Sequence, residues 1–175
     1  YIDKNMKWGL SLSLATGKNH EVNYNTIDNK QAFIKDENNF IRNYFRAGAE
    51  LYYRRAIKTR HRFGIAYTSE LLQDTVLNKN PKYFNSELNR ISFPDIYYNL
   101  SLQDVNFIPY PLRGYTAEVG ISKRGINSPV SQWQISLRGA AYRQLSANFF
   151  FNLKAAATIK APFNQQPFIN QRLLG

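Results

Sequence analysis

Apolar and polar residues alternate along most of this chain with a period of two. In the segment 115–122 the even positions are small or polar. The odd positions are apolar: Tyr115, Ala117, Val119 and Ile121. This period places the apolar side chains of an extended strand on one face. The alternation recurs in eight segments: 8–14, 21–25 (a weaker one), 45–54, 62–70, 96–103, 115–122, 132–141 and 148–160. We therefore predict an all-β fold of about eight antiparallel strands.

The connections between these segments alternate in length. The predicted tight turns are 17–19, 58–60 and 144–146, together with a compact proline-containing turn at 107–113. The longer connections are 28–40, 73–94 and 124–129, and an irregular segment, 161–175, follows the last strand. Short turns at one end and longer loops at the other are typical of an outer-membrane β-barrel.

The composition fits a sheet with one wet face and one apolar face. Mean hydropathy is −0.48, yet 15% of the residues are aromatic. No stretch of about 20 apolar residues is present, which excludes a transmembrane helix but not the strands of a barrel. Ala155 and Ala157 add little to a soluble core but are acceptable toward lipid, and Trp8 and Tyr53 at strand ends suit a membrane interface. A soluble sandwich or lipocalin-like barrel also alternates and stays open as an alternative.

The net charge of +11 comes from basic residues that are spread over the whole chain. A nucleic-acid-binding protein would cluster them on one face. Because no compact basic run occurs, we expect no nucleic-acid partner. The alternation instead places charges of both signs on the polar face of the strands, where they would line a barrel lumen and offset one another. The predicted lumen-facing charges are Arg46, Glu50, Arg54, Arg62, Glu70, Glu118, Arg138 and Lys154.

Few residues are suited to catalysis or metal binding. The chain has no cysteine and two histidines, His20 and His61, which lie beside predicted turns without metal-ligand spacing. Two carboxylates among Glu50, Glu70 and Glu118 could serve hydrolysis. A network of ion pairs and hydrogen bonds in a wet lumen explains them more simply. We expect no catalytic residue, no cofactor and no metal, and hence no enzymatic activity.

Two stretches resemble the BamA/TamA-type outer-membrane assembly barrels, also called the bacterial surface antigen family. The first begins at Asp104 and reads DVNFIPYPLRGYTAEVGISKRG. In that family a Pro-x-Arg-Gly-like periplasmic turn precedes a strand that begins with an aromatic residue; the matching residues are Pro111, Arg113, Gly114 and Tyr115. The second, PFNQQPFINQRLLG at residues 162–175, resembles the lead-in to the family's sixth external loop in the form common among Bacteroidetes-like members.

The resemblance implies a non-enzymatic factor that helps outer-membrane proteins fold and insert. It implies a location in the bacterial cell outer membrane, with outer-membrane lipids, client outer-membrane proteins and accessory lipoproteins as partners. Residues 1–175 would be a partial barrel domain without a POTRA domain, covering the fourth to eleventh of sixteen strands. The Arg-Gly-aromatic motif of the sixth loop would lie beyond Gly175, and the seam strands would be missing. A small closed barrel of eight strands is a geometric alternative.

Other functions stay open beside this one. A porin or transporter barrel with a basic lumen would select anions. A lipocalin-like soluble protein would carry a ligand inside its barrel. The turn residues Pro111, Arg113 and Gly114 are expected to be structural, since proline fixes φ and glycine permits the backbone angles of a tight turn.

Overall fold

The computed structural model describes residues 2–84, 88–126 and 130–162. Within these ranges the chain is all-β and antiparallel, with nine strands and one short helix. The elements are β1 (Trp8–Asn19), β2 (Glu21–Ile27), β3 (Lys30–Lys35), β4 (Arg42–Ala56), β5 (Thr59–Leu72), α1 (Asp74–Lys79), β6 (Arg90–Val105), β7 (Gly114–Arg124), β8 (Gln132–Gln144) and β9 (Phe150–Ala161).

Seven of these strands form one sheet in the order β1-β4-β5-β6-β7-β8-β9, and every neighbouring pair is antiparallel. Over the described residues the sheet is open, because β1 and β9 each pair with a single neighbour. Successive strands along the chain are neighbours in the sheet, apart from the excursion between β1 and β4. The prediction of an all-β antiparallel fold is thus confirmed.

The excursion between β1 and β4 is a separate hairpin of β2 and β3. Its turn, Asp28–Asn29, has positive φ at both residues (49° and 60°), as a two-residue hairpin turn requires. The predicted tight turn at 17–19 is wrong, because β1 continues to Asn19. Gly17 belongs to the strand and leaves room for a neighbouring ring: a Cβ there would lie 2.6 Å from Cε1 of Tyr44.

Three further predictions also change. The connection predicted for 28–40 contains strand β3, and the weak strand at 21–25 pairs with β3 rather than joining the main sheet. The main sheet consequently has seven strands over the described residues, not eight. The connection predicted for 73–94 is shorter because β6 already begins at Arg90, and it contains the helix α1. Pro94 is tolerated in β6 because the ladder with β7 starts one residue later, at Asp95.

The connections at the two ends of the sheet differ in length. At one end, the short-turn end, the strands are joined by residues 57–58, 106–113 and 145–149. At the other, the long-loop end, they are joined by 20–41, 73–89 and 125–131. In the described part of the chain, no helix has the length and apolar character to cross a membrane.

The buried core of the described residues lies at the long-loop end. We call residues 20–41 and 73–84 the loop cap. Its apolar side chains pack with those at the adjoining ends of β5 and β6 and with Val130. The cluster consists of Val22, Ile41, Leu72, Val76, Tyr83, Phe84, Ile91, Phe93 and Val130. The long connections thus fold together instead of extending separately into solvent.

Candidate functional site on the polar face of the sheet

The two faces of the seven-stranded sheet differ most clearly in the rows that cross its middle. One row that crosses all seven strands is apolar throughout: Leu10, Leu51, Phe63, Tyr98, Ile121, Ile135 and Ile159. The next row, on the opposite face, is polar or small except for one tyrosine ring: Ser11, Glu50, Gly64, Tyr97, Ser122, Gln134 and Lys160. We call these the apolar face and the polar face.

The charges predicted for a lumen share the polar face. Arg46, Glu50, Arg62, Glu70, Glu118, Arg138 and Lys154 fall on it by register, and Arg54 lines the same cleft as Arg62 and Arg138. Glu118 and Arg138 are direct cross-strand neighbours. The structure does not gather these residues at one point. They separate into a group near the long-loop end and a group near the short-turn end.

Near the long-loop end two carboxylates are paired with arginine. Arg42 binds Glu70 at 2.9 Å, and Arg124 binds Asp95 at 2.9 Å; each carboxylate side chain is only 7% exposed. Burial of a carboxylate requires such a partner, because a charge removed from water is costly unless it is paired and hydrogen-bonded. Farther along the same face, the Tyr52 and Tyr97 hydroxyls donate hydrogen bonds to the Glu50 carboxylate.

Near the short-turn end the polar face forms a cleft of about 740 Å³ that is rich in basic side chains. Its charged lining residues are Lys7, Arg54, Arg60, Arg62, Arg138 and the single carboxylate Glu118. We call this region the cationic cleft.

The floor of the cationic cleft is built from small and neutral polar residues. Asn99 of β6, Gly120 of β7 and Ser136 of β8 lie in one row across the sheet. A Cβ at Gly120 would lie 2.6 Å from both Asn99 Oδ1 and Ser136 Oγ, so only glycine leaves both side chains in place. Ser101 adds a hydroxyl to the lining. The floor therefore offers hydrogen-bonding groups and little bulk.

The turn predicted from Pro111, Arg113 and Gly114 is held by local hydrogen bonds. Asn106 Oδ1 accepts the backbone N–H groups of Leu112 and Arg113, each at 3.0 Å. Gly114 has φ of +111°, and a Cβ there would collide with the backbone of the preceding strand. The Arg113 side chain donates to Gln144 Oε1 and so ties this turn to the next hairpin. Sequence reasoning missed the roles of Asn106 and Gln144.

Neither histidine sits in a tight turn. His20 Nδ1 lies 3.0 Å from the Asp36 carbonyl oxygen and 2.9 Å from that of Asn39, so it bridges the base of the loop cap. His61 lies within β5 on the apolar face, where Nδ1 is 2.9 Å from the Tyr98 hydroxyl. Within residues 2–84, 88–126 and 130–162, no group of three His, Cys, Asp or Glu side chains could hold a metal ion.

Sequence reasoning also missed Lys7 and Arg60 as members of the cationic cleft. Lys7 shares the parity of the polar positions of β1, so extending the alternation by one residue would have found it. Arg60 was assigned to a turn, but β5 already begins at Thr59. The second stretch that carries the family resemblance, 162–175, lies outside the described residues except for Pro162.

No protein-family model matches the chain, and a search of curated proteins finds no match either.

Proposed function

We propose that the seven-stranded sheet is part of the wall of a transmembrane β-barrel in a bacterial outer membrane. The apolar row that crosses all seven strands carries this proposal. Soluble monomers rarely expose a continuous apolar patch larger than a few hundred Å². An outward apolar band and a polar interior are what a membrane barrel needs. The apolar face would therefore contact lipid, and the polar face would line a water-filled lumen.

The stagger of the hairpins supports this proposal. At the short-turn end Thr59 is level with Leu102, and β6 extends three residues further to Val105. Gly114 is level with Tyr142, and β8 extends two residues further. If these turns lie in one plane, the stagger per strand gives the tilt of the strands from the barrel axis. With about 3.3 Å per residue and about 4.8 Å between strands, the tilt is about 40°. Outer-membrane barrel strands lean by about 35–45°.

Aromatic and basic side chains at the borders of the apolar face also fit a bilayer. The Trp8 and Tyr53 rings are in contact near the short-turn end, tilted by 33° with their centroids 4.4 Å apart. At the opposite border the Lys123 ammonium lies 5.4 Å from the Trp133 ring and 2.7 Å from Ser131 Oγ. Tryptophan and tyrosine favour the membrane interface, and lysine can extend its charge toward the headgroups.

We infer that this barrel belongs to an outer-membrane protein assembly factor with no enzymatic activity. The Pro111–Tyr115 resemblance supports this role, and that turn lies at the short-turn end, where the family has periplasmic turns. With seven wall strands, the corresponding family strands become the fifth to the eleventh, because the hairpin of β2 and β3 is not part of the wall. Client outer-membrane proteins and accessory lipoproteins would be the partners.

The physical basis of such activity is the cost of an unpaired strand edge in lipid. A client strand that pairs with an exposed barrel edge lowers this cost while the client folds. The loop cap favours this role over an open pore, because its core includes Leu72, Ile91 and Phe93 from the polar face near the long-loop end. An open pore would need that end of the lumen to be clear.

An anion-selective porin is the second candidate, because the cationic cleft would attract anions into a lumen. One reconstitution separates the two functions. The protein is placed in lipid vesicles, a urea-unfolded eight-stranded outer-membrane protein is added, and its folding is followed by its electrophoretic mobility without boiling. Faster folding than in vesicles that hold an unrelated barrel at equal density supports assembly. Equal rates contradict it, and an anion-selective conductance in the same vesicles would favour the porin.

A further inference from the structure

The cationic cleft has a larger excess of positive charge than the rest of the polar face. Near the long-loop end, the carboxylates of Glu70 and Asp95 are each buried against an arginine, while Arg46 and Lys160 add two further positive charges. In the cleft, five basic side chains accompany the single carboxylate Glu118. Like charges gathered around one small volume repel one another. The binding of a multivalent anion therefore lowers the electrostatic free energy of such a cluster.

The basic groups are placed on two sides of a shallow floor. Arg54, Arg60 and Arg62 come from β4 and β5, and Arg138 comes from β8, three strands from β5. Between them the row of Asn99, Gly120 and Ser136 carries no charge and little bulk. A ligand lying on this floor can therefore meet guanidinium groups at both ends.

Size and chemistry define the ligand class. The cleft volume of about 740 Å³ falls in the range of about 300–1,000 Å³ that is usual for small-molecule sites. Arginine is suited to phosphate and carboxylate because its planar fork donates two parallel hydrogen bonds. One small monovalent anion could not reach arginines on both sides of the floor. A molecule with two or more anionic groups could contact arginines on both sides.

We propose that the cationic cleft binds a small molecule that carries at least two phosphate or carboxylate groups. Guanidinium groups on both walls hold the anionic groups, and the Asn99, Ser101 and Ser136 side chains hydrogen-bond the body of the ligand. This inference rests on the polar face being open to water, as in the barrel proposed above. It does not depend on whether the barrel assembles other proteins.

Calorimetric titration of the full protein in detergent micelles, at low ionic strength, tests the proposal. The probes are tripolyphosphate and citrate, with acetate as the single-charge control. We expect tripolyphosphate or citrate to bind at one site, to weaken as salt is added, and to be far tighter than acetate. Which probe binds tighter distinguishes a phosphate ligand from a carboxylate ligand. Absence of binding by both probes overturns the proposal.

Matched variants locate the site. R62Q and R138Q should each weaken probe binding about tenfold, because a hydrogen bond to a charged group is lost. R143Q removes the same charge near the short-turn end but on the apolar face, beside Phe151, and should bind as the wild type does. An equal loss in R143Q, or no loss in R62Q and R138Q, overturns the proposal in favour of diffuse attraction by net charge.

Two further controls keep the outcome interpretable. R62K retains the charge but loses the guanidinium fork, so it should fold if R62Q does not, and its loss of affinity should be smaller than that of R62Q. Solubility without detergent, measured on the same preparation, tests the barrel separately. A monomer stable in plain buffer contradicts the proposed barrel, whereas the titration can still be carried out on that monomer.

Discussion

The loop cap and the apolar face of the sheet contain the same kinds of residues in opposite surroundings. Leu72 at the cap is 1% exposed, whereas Leu12 on the apolar face is 75% exposed. Phe84 in the cap is fully buried, whereas Phe151 on the apolar face is 51% exposed. The chain is thus able to bury large apolar side chains by folding, and in the described residues it does so only at the long-loop end.

This difference separates two groups of apolar side chains. The cap residues are removed from water by one another, which is the usual hydrophobic stabilisation of a folded core. The apolar face has no such cover among the described residues, although it extends over all seven strands. A lipid bilayer would supply the cover. The account therefore predicts that mutations in the two regions respond to different environments.

The largest expected effect comes from F84A in the loop cap. Removing a fully buried phenylalanine costs about 3–5 kcal/mol, since the transfer free energy is lost and a cavity remains. Hydrogen exchange should therefore speed up in 20–41 and 73–84 while β5 to β8 keep their protection. F33A, which truncates a half-exposed ring of the same cap, is the control and should change little. Equal loss of protection across the whole sheet would show that the cap and the wall do not fold as separate units.

The next effect distinguishes the two faces directly. Leu12 and Ser13 are adjacent, exposed and on opposite faces of β1. In lipid vesicles L12R should lower the free energy of unfolding by about 2–4 kcal/mol, because arginine is placed in the hydrocarbon region. S13R should lower the free energy of unfolding far less. The measurement is equilibrium unfolding by urea from vesicles, and equal costs for the two variants would contradict the assignment of the faces.

A smaller effect is expected at the short-turn end, which lacks a cap. G114A forces a side chain into a backbone conformation with φ of +111° and into contact with the preceding strand, at a cost of about 1–3 kcal/mol. Gly139 is the matched control, because a Cβ there would meet its nearest neighbour, the Thr116 carbonyl oxygen, at an ordinary 3.7 Å. Unfolding in urea should separate G114A from G139A. Similar stabilities would show that the turn tolerates a side chain.

The smallest effect is a pH dependence at the base of the cap. Hydrogen bonds from the backbone of Asn38, and from the side chain and backbone of Asn39, hold the pKa of Asp36 below its ordinary value of 3.8. A folded pKa below the unfolded one means that the stabilisation is complete above the unfolded pKa and is lost as pH falls through the folded pKa. Proteolysis of 20–41 should therefore increase at acidic pH below the ordinary value. D36A should lack this increment; an unchanged acid response in D36A would assign it to other groups.

The alternation of residues predicted the all-β fold and the main strands because one face of each strand meets a different environment from the other. It failed at Gly17, where a glycine that gives space to the Tyr44 ring resembles a turn. It also could not assign the β2–β3 hairpin, since the cap core is assembled from separated segments. Val22 and Phe84 meet in that core without sharing a periodic pattern.

For the candidate site, the alternation of side chains along each single strand predicted which charges share a face. It could not predict which of them lie close together, because that depends on the register of three successive ladders, from β5 to β8. Arg62 and Arg138 line one cleft only because Asn99, Gly120 and Ser136 align between them. Pairing of Arg42 with Glu70 depends in the same way on the β4–β5 register.

The central claim is that one face of this sheet contacts lipid and the other contacts water. The chain has no native cysteine, so each introduced cysteine is a unique labelling site. Nitroxide labels at 63, 65 and 67 of β5, and at the exposed positions 60 and 62 on the opposite face, should be compared in lipid vesicles. The account predicts that the odd positions are relaxed by oxygen dissolved in the bilayer and the even positions by a water-soluble nickel chelate. Equal access of the nickel chelate to all five positions would contradict it.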